Sequence, residues 1–123
     1  MGCRGVRGAI TVEENTATAI LDATRALLVA MVAENGFAVE ELGSVIFTAT
    51  SDLDAAYPAA AARQMGWTQT PLLCMQEMAV KGSLQRCIRV LLHWNTDCSP
   101  AQVKHVYLGG AKTLRPDLVE GTS

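Results

Sequence analysis

Apolar and polar side chains alternate along residues 3–12, and that two-residue period predicts a strand. Val6, Ile10 and Val12 share one of its faces; Cys3, Gly5, Arg7, Ala9 and Thr11 share the other. The period then lengthens. Across residues 16–35, Ile20, Thr24, Leu27, Leu28, Met31 and Val32 recur at helical spacing, with Asn15 or Thr16 able to cap the start and Gly36 suited to the left-handed position after the end. Residues 44–50 return to a strand pattern, Pro58 opens a short Ala-rich helix through Gln64, and residues 70–75 form a third strand. The strongest strand spans residues 86–94: Ile88, Val90, Leu92 and Trp94 fill one face, while Cys87, Arg89, Leu91 and His93 occupy the other. A last strand is expected over residues 103–108, with His105 and Tyr107 on one face. The order β-α-β-α-β-β-β predicts a single α+β domain over residues 1–123, built on one mixed sheet with its helices gathered on one face.

Composition narrows the functional classes. A chain of 123 residues has the size of one domain, and a hydrophobic content of 50% supports a packed core. Only six residues are aromatic, so Ala, Val, Leu, Ile and Met must fill that core. A net charge of −2 and a pI near 5.6 argue against nonspecific nucleic-acid binding, which requires a clustered basic surface. Cys3, Cys74, Cys87 and Cys98 form no C-x-x-C pair, which disfavours a zinc site and a secreted disulfide framework. With no apolar leader and no membrane-length run, a cytoplasmic location with reduced thiols is expected.

The basic residues are skewed, seven Arg against three Lys. Arginine offers a planar fork that grips carboxylates or phosphates through two bonds, which lysine does not. Arg7 rises from a floor of small side chains that leaves room for a ligand or for a close packing element. Arg89 stands in the middle of the best strand, where a charge must face solvent, a partner carboxylate or a ligand. Two further segments carry polar residues that a simple core does not explain: Cys74-Met-Gln-Glu77-Met, and His105-Val-Tyr107 with Leu114-Arg115-Pro-Asp117-Leu.

Taken in order, these blocks resemble the AroH-class chorismate mutases. The similarity runs from Arg4-Gly-Val-Arg7-Gly-Ala-Ile-Thr-Val-Glu13 through Ser51-Asp52-Leu53, Tyr57-Pro58-Ala59, Arg63 and Gly66-Trp67. It continues through Cys74-Met-Gln-Glu77-Met to the Leu114-Arg115-Pro-Asp117-Leu tail. The resemblance implies a homotrimer in which three sheets form a pseudo-barrel, with active sites in clefts between neighbouring subunits. It also implies a cofactor-free isomerase that converts chorismate to prephenate on the route to phenylalanine and tyrosine, with no metal, nucleic-acid or membrane partner. Arg7, Leu73, Cys74, Met75, Gln76, Glu77, Arg89 and Tyr107 would line the cleft, and Tyr57, Ala59, Arg63, Leu114 and Arg115 its wall or entrance.

That reaction suits the residue types. One C–O bond breaks as one C–C bond forms, so no nucleophile or proton transfer is needed. The dicarboxylate must be folded into a compact chair and charge must be stabilised on the ether oxygen. By resemblance, Arg89 would donate to that oxygen and Arg7 with Tyr107 would hold the enolpyruvyl carboxylate. Glu77 would accept from the ring hydroxyl, Cys74 would contact the same side of the substrate, and Arg63 and Arg115 would draw in the ring carboxylate. Each has a plainer reading: Glu77 as the structural partner of Arg89, Cys74 as a small buried residue, Tyr107 as a core hydrogen-bonding group. The rival functional class is a non-catalytic trimeric module that binds an anionic metabolite. Three features depart from relatives: Ala60 stands where a lysine can occur, the stretch from Arg63 to Trp67 is one residue shorter than in some of them, and the tail after Asp117 is brief. Cys74 and Glu77 also have opposite strand parity, so both face one cleft only if the backbone bulges or turns between them.

Overall fold

The computed structural model describes residues 2–114. Five strands form one mixed sheet: β1 (Cys3–Thr11), β2 (Leu42–Ala49), β3 (Leu72–Gln76), β4 (Cys87–Asn95) and β5 (Val106–Leu108), in the spatial order β3-β2-β4-β1-β5. β4 runs antiparallel to both β1 and β2, whereas β1 pairs with β5 and β2 with β3 in parallel. Two helices, α1 (Ala17–Asn35) and α2 (Ala59–Gln64), pack on one face. The α+β reading with a mixed sheet therefore holds.

Local chemistry accounts for the elements. Thr16 accepts the Ala19 N–H at the start of α1, and Gly36 ends it at φ 73° while donating its N–H to Val32. From α1, Ile20, Leu27, Leu28 and Met31 are completely buried. Leu27, Leu28 and Met31 meet Val6, Val45, Phe47, Val90 and Leu92 of the sheet. Gly8 makes this close approach possible, because a Cβ there would stand 2.5 Å from the Met31 sulfur. A short 3-10 segment (Gly109–Thr113) crosses the opposite face, where Ala111 packs with Ala9, Cys87 and Tyr107.

One expected strand is shortened. Residues 103–105 lie outside β5, although residues 103–108 have a strand-like pattern. Pro100–Gln102 turns as a 3-10 segment, and the Asn35 side chain then satisfies the backbone of Lys104 on both sides, at 2.8 and 2.9 Å. A side chain from α1 thereby replaces the ladder partner that a strand would need. No helix among the described residues is long and apolar enough to cross a membrane.

Candidate active site

The face of the sheet opposite α1 carries the polar residues. Thr48 on β2 is in register with Arg89 on β4, Arg89 with Ala9 on β1, and Ala9 with Tyr107 on β5. These four positions form one row across four neighbouring strands. Ala9 contributes only a methyl group, over which Ala111 of the 3-10 segment packs. Arg7 lies one pleat along β1, opposite Leu91.

Glu77 joins this row from just beyond the end of β3, where its N–H donates to the Ala49 carbonyl at 2.9 Å. Its Oε1 lies 2.5 Å from the Arg89 Nε, with both side chains largely shielded from solvent. The contact is ionic: Glu77 sits off the N–H axis, so the buried Nε has no aligned hydrogen bond. The second carboxylate oxygen accepts from the Thr48 hydroxyl at 3.2 Å. Arg7, Thr48, Glu77 and Arg89 together line a cavity of about 570 Å³, with Ile46 and Leu91 forming apolar parts of its wall. A second cavity of about 620 Å³ adjoins Arg89 and is bordered by Thr11, Arg86, Thr113 and Leu114.

The start of β4 is held unusually firmly. Arg86 adopts φ 45°, a left-handed conformation that a side chain disfavours. Both Asp52 carboxylate oxygens accept its N–H, at 3.2 and 3.0 Å, and its Nε donates to the Val12 carbonyl at 3.0 Å. Thr50 donates to Asp52 and accepts the Cys87 N–H at 3.0 Å. Two consecutive amides are thus tied to the end of β2, two residues before Arg89. Burial pushes the Cys87 thiol pKa above its ordinary value, and neighbouring Arg89 offsets part of that rise.

The positions singled out in the sequence separate into groups. Arg7, Met75, Gln76, Glu77 and Arg89 border the 570 Å³ cavity. Tyr107 is buried in the adjoining apolar cluster, with a phenolic oxygen that has no hydrogen-bond partner among the described residues. On the helix side, Tyr57 and Cys74 border a different cavity of about 460 Å³, shared with Asp54 and the edge residues Met75 and Gln76. Cys74 and Glu77 point to opposite faces because β3 keeps its alternation: Leu72 and Cys74 pack toward the core, and the strand ends at Gln76. No bulge brings the two together. Ala59 is buried in the core, Arg63 is exposed on α2, and Leu73 is exposed on the edge strand. Leu114 borders the 620 Å³ cavity, and Arg115 falls outside the described residues.

Sequence reasoning does not single out Thr48 or Thr50, and it names Asp52 only within the Ser51-Asp52-Leu53 block, without a role. Thr48 and Thr50 are ordinary residues at the end of a strand, and only the register of β2 against β4 reveals what they touch. His105 accepts the Arg7 N–H at Nδ1, 3.0 Å away, and so braces the backbone that carries that arginine. His93 pairs with Ser44 at 2.8 Å on the same sheet face.

The family model described as chorismate mutase type I matches residues 3–118. A chorismate mutase AroH of Thermus thermophilus is 58% identical over 116 residues, covering 94% of this chain and 95% of the relative. The chorismate mutase AroH of Bacillus subtilis (strain 168) is 45% identical over 119 residues, covering 96% of this chain and 94% of the relative. A solved chorismate mutase from Clostridium thermocellum superposes with a TM-score of 0.88 at 54% identity, covering 89% of this chain and 98% of that one.

Proposed function

Because the chain belongs to the chorismate mutase type I family, we propose that it isomerises chorismate to prephenate by fixing the substrate against Arg7 and Arg89. The observation that carries this reading is the cavity in which both arginines and Glu77 meet, with Glu77 countering the charge of Arg89. Chorismate is a flexible dicarboxylate, and its rearrangement requires the enolpyruvyl arm to fold over the ring. Arg7 with Tyr107 holds the carboxylate of that arm, which removes rotational freedom before the barrier is climbed. Arg89 donates to the ether oxygen. As the C–O bond stretches, negative charge grows there, so the donor binds the transition state better than the ground state. Glu77 accepts from the ring hydroxyl and keeps the guanidinium in place. No group gains or loses a proton in this scheme, and no cofactor takes part.

The site is proposed to be composite. Within one chain Tyr57 and Cys74 border a different cavity from Arg7 and Arg89, and in this reading they would reach a substrate at those arginines across a subunit boundary. Apolar side chains cluster near the same edge strand: Leu73, Met75, Met78 and Val80 are 46–81% exposed in the single chain. An exposed apolar edge of this kind calls for a partner. A homotrimer with a barrel-like core of sheets would cover it and would bring Tyr57, Arg63 and Cys74 of one subunit toward Arg7, Glu77, Arg89 and Tyr107 of the next, with Ala59 in the packing beneath them. Leu114 and Arg115 would lie toward the opening.

Incubation with chorismate tests the function. Prephenate should accumulate, and Arg89→Ala should slow it by about a hundred- to a thousandfold, the usual consequence of losing a donor at a developing oxyanion. Binding without turnover would instead favour a metabolite-sensing module. Sedimentation equilibrium should return the mass of three chains.

A further inference from the structure

Thr48 faces the cavity from β2, directly opposite Arg89. Its hydroxyl engages one oxygen of Glu77 at 3.2 Å, while the other oxygen meets Arg89 Nε at 2.5 Å. The carboxylate is therefore divided between two partners. A carboxylate left alone with a guanidinium ordinarily closes two parallel N–H···O bonds with it. Here the hydroxyl holds one oxygen back. Glu77 meets Arg89 at Nε but off the N–H axis, so no aligned hydrogen bond forms there, and the guanidinium also lies against the Cys87 thiol.

Resting on the reading of Arg89 as the donor to the ether oxygen, we infer that Thr48 is a positioning residue that keeps Glu77 from capturing the whole guanidinium fork. The half-engaged carboxylate anchors Arg89 and leaves its terminal N–H groups for substrate. Without the hydroxyl, Glu77 is released to turn and close a bidentate pair. Those donors would then be spent inside the protein, and the charge offered to the ether oxygen would be quenched. Arg7 is untouched by this change, so ground-state binding of the substrate persists. The loss falls on the transition state, which lowers kcat and kcat/KM together and leaves KM nearly constant.

The test compares wild type with Thr48→Val, which keeps the branched shape without the hydroxyl, and Thr48→Ser, which keeps the hydroxyl without the methyl. Thr48→Val should lower kcat about ten- to a hundredfold, with KM within about twofold and the thermal midpoint close to wild type. Thr48→Ser should restore most of kcat. Should Thr48→Val fail to fold, Thr48→Ala is measured in its place against the same serine variant. Unchanged kcat without the hydroxyl, a loss confined to KM, or a serine variant as impaired as the valine one would each overturn the inference. A wild-type protein inert toward chorismate would overturn the functional reading on which it rests.

Discussion

On β4, Ile88, Val90 and Leu92 are buried beneath the helices, while Cys87, Arg89, Leu91 and His93, one residue out of step, face the opposite way. The two faces of one strand obey different rules. Under α1, any set of apolar side chains of suitable volume would fold the chain, and the cost of error is a cavity or a clash. On the other face, Thr48, Glu77 and Arg89 are held by mutual polar contacts that add little to a core. A largely shielded ion pair of this kind is often no more stabilising than apolar side chains of similar volume would be. Its position is therefore better explained by chemistry than by folding.

Substitutions on the two faces should consequently fail in different ways. Phe47→Ala, in the fully buried layer, should cost about 3–5 kcal/mol of unfolding free energy while leaving the activity per folded molecule near normal; denaturant titration with active-site normalisation checks both. A kcat loss as large as that of Arg89→Ala in folded Phe47→Ala protein would erase the distinction. Gly8→Ala should be milder, about 1–3 kcal/mol, because the added methyl meets Met31 and Leu27 of α1 at 2.5 and 3.1 Å. A thermal midpoint equal to wild type would show that α1 can lift without cost.

The smallest effect concerns pH. Burial raises the pKa of Cys87 above the ordinary 9.0, so the folded state favours the neutral thiol. That contribution is complete below the ordinary value and is lost as pH rises toward the folded one. Denaturant midpoints followed from pH 8 upward should fall less steeply in Cys87→Ala than in wild type. Parallel curves would remove the thiol from the account.

The apolar layer was largely readable in the sequence because it is periodic. Alternation marked β1 and β4, and helical spacing with Thr16 and Gly36 bounded α1 to within a residue. Residues 103–105 misled because their strand-like alternation competes with a side chain distant in sequence, Asn35. The polar face was readable only in part. Arg7 and Arg89 stood out as charges where a core was expected, and the family resemblance added Glu77. The roles of Thr48 and Asp52 were not legible, since their partners lie 29 and 34 residues away and depend on strand register. The parity conflict between Cys74 and Glu77 was visible as a question; the answer, opposite faces of an unbulged β3, required the backbone.

The account depends on a guanidinium held rigidly enough to meet charge as it forms. Arg89→Lys tests this most directly, because it keeps the positive charge and discards the planar fork that Glu77 anchors. Stopped assays of prephenate formation, made on variant protein with a wild-type circular dichroism spectrum, should show kcat reduced nearly as far as in Arg89→Ala. A lysine variant that turns over chorismate at close to the wild-type rate would contradict the claim.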